Sequence, residues 1–206
     1  MTPAAAAARR AVQTRNATEE AILDAARAAL GEKGFDALTM DAIARKAFVS
    51  RTAVYFYFPN KRAVVDRLIQ RAFADILEAA SPYLAGEGDP RAELHAALAG
   101  VVAIVDRDAP ILRLALWLYG REDQLPAEWA PHIQRLVVAG AKRIARDQKR
   151  GLAPDDIPAR TSALALSAMV ERHVGMEIVR SGRDGHDSIR VLSELWWRAV
   201  YSKPEA

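Results

Sequence analysis

Residues 39–61, TMDAIARKAFVSRTAVYFYFPNK, carry the strongest structural signal in this chain, because their pattern predicts two short helices joined by a tight turn. Apolar residues such as Ile43 give the first helix one buried side. Ser50 is placed to cap the second helix, because its hydroxyl can accept a backbone N–H of the first turn. Val54 and Phe58 lie four residues apart, so both can point inward from that helix.

The outer face of the second helix is left with polar and aromatic side chains: Arg51, Thr52, Tyr55 and Tyr57. A short exposed helix held from behind by apolar residues suits a helix-turn-helix, in which the second helix enters the major groove of DNA. Arginine can donate two hydrogen bonds to guanine O6 and N7, so Arg51 is the residue predicted to read a base. A phosphate contact and a solvated surface arginine are its alternatives.

The same segment resembles the DNA-binding domain of the TetR family of transcriptional regulators. The residues that carry the resemblance are Ala44, Val49-Ser50, Val54-Tyr55, Tyr57-Phe58-Pro59-Asn60-Lys61 and the helical pattern from Ile22 to Phe35. The resemblance is specific over roughly residues 18–71 and looser beyond them.

This resemblance implies a set of DNA-binding residues: Thr39, Ser50, Arg51, Thr52, Ala53, Tyr55, Tyr57 and Lys61. Four of them match positions that commonly hold DNA phosphates in the family: Thr39, Tyr55, Tyr57 and Lys61. Such contacts fix the register of a protein on DNA without reading its sequence. The methyl group of Ala53 is implied to meet a thymine methyl.

One position departs from the family pattern. Phe48 stands in the turn where the family usually has glycine. Glycine is favoured where φ is positive, and a bulky residue is unusual there. We therefore expect a strained or shifted turn at Phe48.

The rest of the chain shows helical periodicity and no sustained β-alternation, which predicts an all-α fold of about nine helices. Separate helices are expected to begin at Asp108-Ala109-Pro110 and at Leu125-Pro126, and one helix is expected over residues 158–181. The predicted organisation is a flexible basic arm at 1–17, a three-helix helix-turn-helix DNA-binding domain at 18–65 and a larger helical ligand-binding and dimerisation domain at 66–206.

Composition narrows the class of protein. The 206 residues include no cysteine, which excludes a disulfide framework and thiolate metal sites. Residues 1–71 carry 12 Lys/Arg against 7 Asp/Glu, whereas residues 72–206 carry 17 against 19. The excess of positive charge in residues 1–71 is consistent with a chain that contacts nucleic-acid phosphates through its N-terminal part only. No apolar run reaches the roughly 18 residues of a membrane span, so we expect a cytoplasmic, nucleoid-associated protein without a membrane partner.

An enzyme is the weaker alternative. The four histidines, His95, His132, His173 and His186, lack metal-ligand spacing, and the chain contains neither a G-x-S-x-G elbow nor a phosphate-binding loop. We therefore predict no catalytic residue, no metal site and no cofactor. An architectural helix-turn-helix protein that binds DNA without sequence preference is a further alternative to a regulator.

The chain, and its second domain in particular, is most similar to the actinobacterial subgroup of the family typified by the ethionamide-resistance repressor. The resemblance lies in Tyr55–Pro59, Glu171-Arg172, Leu195-Trp196 and Val200-Tyr201. That subgroup has an amphipathic ligand tunnel, and its polar asparagines align with Ser167 and Val170 here, which implies a more apolar pocket.

The residues predicted to bind a ligand are large apolar groups and two polar ones: Leu116, Trp117, Trp129, Leu136, Ser167, Met169, Glu171, Met176 and Trp196. Plain core packing is the alternative for the aromatic residues. We expect Glu171 to be paired, in cis or across a dimer, because an unpaired buried charge is costly. The predicted effector is accordingly a lipophilic, uncharged small molecule rather than a cation.

Dimerisation is predicted through the last two helices, because they carry more apolar surface than one side of a monomer needs. The residues expected at that interface are Val174, Ile178, Leu192 and Leu195, with an intrachain core as the alternative. Together these observations predict a homodimeric, sequence-specific DNA-binding regulator, a repressor that a ligand releases from a palindromic double-stranded operator.

Overall fold

The structure is a computed structural model that describes the backbone of residues 3–119 and 129–202 and the side chains of 16–118 and 129–202. Those residues form nine α-helices and no strand, which confirms the predicted all-α class. The helices are α1 Pro3–Lys33, α2 Met40–Lys46, α3 Arg51–Tyr57, α4 Lys61–Ala79, α5 Ser81–Ala85, α6 Pro90–Tyr119, α7 Ala130–Lys149, α8 Ala159–Val174 and α9 His186–Tyr201. Among the described helices, none combines the length and the apolar composition that a membrane span requires.

The chain divides into two compact units, residues 1–71 and 72–206, and the division falls inside α4. The boundary predicted after residue 65 lies in the same helix. The first unit has a closely packed apolar core to which all four of its helices contribute: Ile22, Ala26, Leu30, Ile43, Val54, Val64 and Leu68. This core holds the back of α3 and leaves its front exposed.

The N-terminal segment differs from the prediction. The backbone is helical from Pro3 to Lys33, where the sequence predicted a flexible basic arm over residues 1–17. Residues 4–8 are five alanines, the residue with the highest helix propensity, and proline is favoured in a first turn.

The helices of the second unit also differ in extent. Helix α6 continues through Pro110, where two helices were predicted. Proline removes one backbone donor, but Ala109, Ile111 and Leu112 are buried around it, and their packing keeps the helix continuous. The helix predicted over 158–181 becomes π-helical at Gly175–Arg180. The start predicted at Leu125-Pro126 lies outside the described residues.

A polar cluster around Arg143 lies inside the second unit. Arg143 Nε donates to Asp147 Oδ2 at 2.6 Å, and its Nη1 donates to Glu93 Oε2 and to the Tyr83 carbonyl oxygen, each also at 2.6 Å. The Tyr201 hydroxyl donates to Asp147 Oδ2 at 2.7 Å and lies 3.0 Å from the Tyr83 hydroxyl. These bonds offset the cost of enclosing two charges.

Candidate DNA-binding helix and ligand cavity

Both helices of the helix-turn-helix begin at a hydroxyl cap. Thr39 Oγ1 accepts a hydrogen bond from the Ala42 N–H at 3.1 Å, and Ser50 Oγ accepts one from the Ala53 N–H at 3.0 Å. The cap predicted at Ser50 is therefore confirmed. Each hydroxyl keeps its own proton, so Thr39 and Ser50 can still donate to a phosphate.

The turn between the helices is closed by two backbone bonds around Phe48. The Phe48 N–H donates to the Arg45 carbonyl oxygen at 3.3 Å, and the Val49 N–H donates to that of Ala44 at 3.1 Å. This is the Schellman closure, and it places Phe48 in the left-handed region with φ of 55°. Among the described residues Phe48 is the one non-glycine with a positive φ, so the strained turn is confirmed.

The strain at Phe48 is not repaid by packing, because its side chain is 96% exposed. The left-handed conformation costs an L-residue about 1–2 kcal/mol. The anchoring of α3 comes instead from Val54 and Phe58, which are buried in the first unit as their four-residue spacing predicted.

The front of α3 presents most of the predicted DNA-binding residues. Arg51, Thr52 and Tyr55 are exposed, whereas Ala53 and Tyr57 are half-buried. The fold thus brings these side chains to one accessible helix, next to the two capped hydroxyls.

Arg51 is already oriented in the free protein. Its guanidinium carbon lies 5.5 Å from the centre of the Tyr55 ring, and its Nη1 lies 3.3 Å from Asp41 Oδ2. The hydrogen bond with Tyr55 and the charge of Asp41 raise the pKa of Arg51, which stays cationic. Because Arg51 and Asp41 are both well exposed, this ion pair contributes little stability and can open when a base or phosphate competes.

Lys61 is also engaged within the first unit. Its Nζ donates to the Phe35 carbonyl oxygen at 3.2 Å and lies 4.2 Å from the centre of the Phe35 ring. The contact fixes the start of α4 against the loop after α1. An ammonium group has three donors, so Lys61 retains others for the predicted phosphate.

A cavity of about 160 Å³ lies inside the second unit, with an almost wholly apolar wall. Its wall includes six of the residues predicted to bind a ligand: Leu116, Trp129, Leu136, Ser167, Glu171 and Trp196. The wall also includes residues that the sequence analysis missed, among them Phe73, Ile76, Tyr83, Leu112, Ile133 and Val170. The helical periodicity of α4 and α6 marked several of these positions as buried, but it could not show that they surround a cavity.

Three of the predicted lining residues lie elsewhere. Trp117 is 74% exposed, because the residue after Leu116 is rotated about 100° around α6 and leaves the cavity face. Met169 lies two residues, about 200° of helix rotation, from both Ser167 and Glu171, so it points away from the cavity. Met176 lies in the π-helical segment, where the helical register changes, and does not line the cavity either.

Glu171 is the one carboxylate in the described wall of the cavity, and the wall contains no lysine, arginine or histidine. Burial raises the pKa of Glu171, and the positive charge of Arg172 partly offsets that effect. In the part of the chain that the structure describes, no hydrogen bond or ion pair joins Glu171 to another side chain. The described residues thus provide no partner for Glu171 in cis, and pairing across a dimer stays a prediction.

The predicted dimer interface also needs correction. Val174, Ile178 and Leu192 are buried within a single chain, so they belong to the intrachain core that was the alternative. Of the four expected residues, Leu195 is exposed. Leu164 on α8 and Val191 on α9 are exposed as well. Helical spacing marked these faces as apolar but could not tell which one the chain itself covers.

Among the described residues, no group of three His, Asp or Glu side chains is positioned to bind a metal ion. Two of the histidines make contacts inside the fold. The His173 Nε2 lies 2.8 Å from the Ser188 hydroxyl, and the His132 ring stacks on Phe73 with centroids 4.7 Å apart.

The first unit contains two capped helices, the second of which is exposed, and the second unit is helical with an apolar cavity. This combination is that of a helix-turn-helix regulator of transcription. Comparison with known proteins agrees. Residues 22–68 match the family of bacterial regulatory proteins called tetR, and residues 94–202, over half the chain, match the C-terminal domain of the transcriptional regulator EthR. The chain belongs to the TetR family of transcriptional regulators.

Individual relatives support the same assignment. The chain is 28% identical over 189 residues to the transcriptional regulator EthR of Mycolicibacterium smegmatis, covering 89% of this chain and 86% of that protein. A TetR-like transcriptional regulator from Rhodococcus sp. RHA1 aligns with a TM-score of 0.58 at 25% identity, over 88% of this chain and 94% of its own.

A third comparison concerns the fold alone. NalD of Pseudomonas aeruginosa, a secondary repressor of a multidrug efflux pump, aligns with a TM-score of 0.62 at 22% identity over 93% of this chain and 99% of its own. The relatives are regulators rather than enzymes.

Proposed function

We propose that this regulator is a repressor that binds a palindromic operator as a homodimer and leaves it when a small molecule fills the cavity. The observation that carries the proposal is the front of α3, where Arg51 stands exposed at the head of a rigidly anchored helix. It would act in the cytoplasm, on the nucleoid.

Arg51 is the proposed base reader, and the methyl of Ala53 is the proposed contact with thymine. The remaining candidates would hold phosphates and fix the register: Thr39, Ser50, Thr52, Tyr55, Tyr57 and Lys61. The hydroxyls of Thr39 and Ser50 support this role, because they stand at helix N-termini, where backbone N–H groups and the helix dipole also favour an anion.

The homodimer is proposed to form through α8 and α9. Leu164, Val191 and Leu195 support it, because they are exposed apolar side chains on those two helices. Two recognition helices related by a two-fold axis would read half-sites about 10 base pairs, or a multiple of that spacing, apart.

The effector is proposed to be a lipophilic small molecule that occupies the cavity of the second unit. Its almost entirely apolar wall supports a ligand held by burial of apolar surface, with few polar contacts. A ligand can release DNA only through a difference in its affinity for the two states of the protein.

Selection of bound fragments from genomic DNA with the purified full-length chain tests the proposal. Enrichment of one inverted repeat, with protection of both half-sites, is the expected result. Binding of all fragments alike would instead indicate an architectural protein without sequence preference.

A further inference from the structure

Glu171 gives the cavity wall a charged group that an apolar ligand leaves unexplained. Glu171 lies on the face of α8 that also presents Ser167 and Val174 to the cavity, because the three residues are spaced by four and three positions. The carboxylate is half-buried, and no described residue donates a hydrogen bond to it. A wall built only for hydrocarbon would not retain such a group, because partial burial of an unpartnered carboxylate is unfavourable.

We infer that the cavity selects lipophilic cations, with an ammonium group of the ligand placed at Glu171. This inference rests on the proposed function, since it names the chemical class of the effector. An ammonium donates charge-assisted hydrogen bonds to a carboxylate, and their attraction is strong where water is partly excluded.

The surroundings of Glu171 fit a cation better than a neutral or anionic ligand. The Ser167 hydroxyl, one helical turn earlier, supplies a second acceptor in the same wall. The rings of Phe73, Trp129 and Trp196 also line the cavity, and aromatic faces attract positive charge. With no basic residue in the described wall, nothing there would neutralise an anionic ligand.

Arg172 does not occupy the place of the ligand cation. It follows Glu171 directly, so its side chain leaves α8 about 100° further round the helix. It is exposed and does not line the cavity. Its positive charge lowers the pKa of Glu171, but burial raises that pKa by a larger amount.

Three eight-carbon probes separate charge from hydrophobicity: octylamine, 1-octanol and octanoate. Their binding to the full-length chain is followed by calorimetry and by the fluorescence of Trp129 and Trp196, which line the cavity. Octylamine is expected to bind about 10-fold tighter than 1-octanol, as a charge-assisted hydrogen bond contributes, and octanoate is expected to bind weakest.

Matched variants test whether Glu171 is the residue responsible for the preference for octylamine. Glu171→Gln should remove the preference for octylamine and leave the affinity for 1-octanol within about 2-fold, because the apolar wall is unchanged. Glu171→Asp should retain the preference, since it keeps the charge. Glu177→Gln is the control for loss of a nearby carboxylate, because Glu177 pairs with Arg183 and does not line the cavity.

The outcomes distinguish this inference from the function on which it rests. If 1-octanol binds as tightly as octylamine, or if Glu171→Gln keeps the preference, the selection of cations is wrong although the cavity still binds ligands. If octylamine binds as expected but the protein stays on operator DNA, the inference is upheld and the proposed release by a ligand is contradicted. Failure of all three probes to bind would overturn the inference and the ligand site together.

Discussion

The Nε atom of Arg143 lies 2.6 Å from Oδ2 of Asp147, one helical turn later in α7, and both side chains are fully enclosed. The same carboxylate oxygen accepts from the Tyr201 hydroxyl, which lies 3.0 Å from that of Tyr83. Tyr83 lines the cavity, and its hydroxyl accepts from the Trp196 indole N–H at 3.2 Å. The cavity wall is thus hydrogen-bonded to the buried ion pair.

Asp147→Asn should destabilise the chain by about 3–5 kcal/mol, because it removes the fully buried one of the two carboxylates that pair with the enclosed Arg143 and leaves only Glu93. Urea unfolding followed by circular dichroism measures the loss. Glu194→Gln is the control, because Glu194 pairs with Arg198 on the surface and its replacement should change stability little. Equal effects of both variants would show that burial of the Arg143–Asp147 pair is unimportant.

Phe48→Gly should raise stability by about 0.5–1 kcal/mol. Relief of the left-handed strain, about 1–2 kcal/mol, exceeds the extra entropy of glycine in the unfolded chain, about 0.5–1 kcal/mol. The exposed ring loses almost no packing. Phe48→Ala keeps the strain and serves as the control in the same thermal unfolding measurement. A glycine variant no more stable than the alanine variant would argue against a strained turn.

Arg51→Ala should weaken binding to the specific operator by about 1–3 kcal/mol and relax discrimination at one base position. Titrations on the operator and on scrambled DNA measure both effects. Asp41→Asn is the companion variant, because it frees Arg51 without removing it and should preserve the base preference. An equal loss on both DNAs for Arg51→Ala would make Arg51 a phosphate contact only.

Lys61→Ala should weaken binding to all DNA sequences alike and lower the slope of log affinity against log salt by about one unit. The contact with Phe35 is lost as well, so the variant must first be shown to unfold at a temperature close to that of the parent. Tyr55→Phe should also weaken binding on every sequence but leave the salt slope unchanged. A salt slope unaffected by Lys61→Ala would contradict its role at a phosphate.

Leu164→Glu combined with Leu195→Glu should convert the proposed dimer to a folded monomer, because charge on an interface that excludes water is unfavourable. Light scattering measures the mass, and circular dichroism checks the fold. Exposed Leu152, which lies outside α8 and α9, provides the control as Leu152→Glu. A double variant that remains dimeric would place the interface elsewhere.

Much of the helix-turn-helix follows from sequence alone because its signals are local. The Ser50 cap, the strained Phe48 and the inward pair Val54 and Phe58 each depend on residues within one or two turns. The helical class follows in the same way from periodicity.

Tertiary structure alone decided the rest, because periodicity shows which face of a helix is apolar but not what covers it. Val174 and Leu192 have the apolar helical spacing that is also expected of a dimer interface, but both side chains are buried within a single chain. Packing on both sides of Pro110 keeps α6 continuous, and the position of Trp117 along that helix sends its ring to solvent. Among the described residues Glu171 has no ion-pair partner, because the cavity wall around it contains no basic side chain; its neighbour in sequence, Arg172, gave no sign of this.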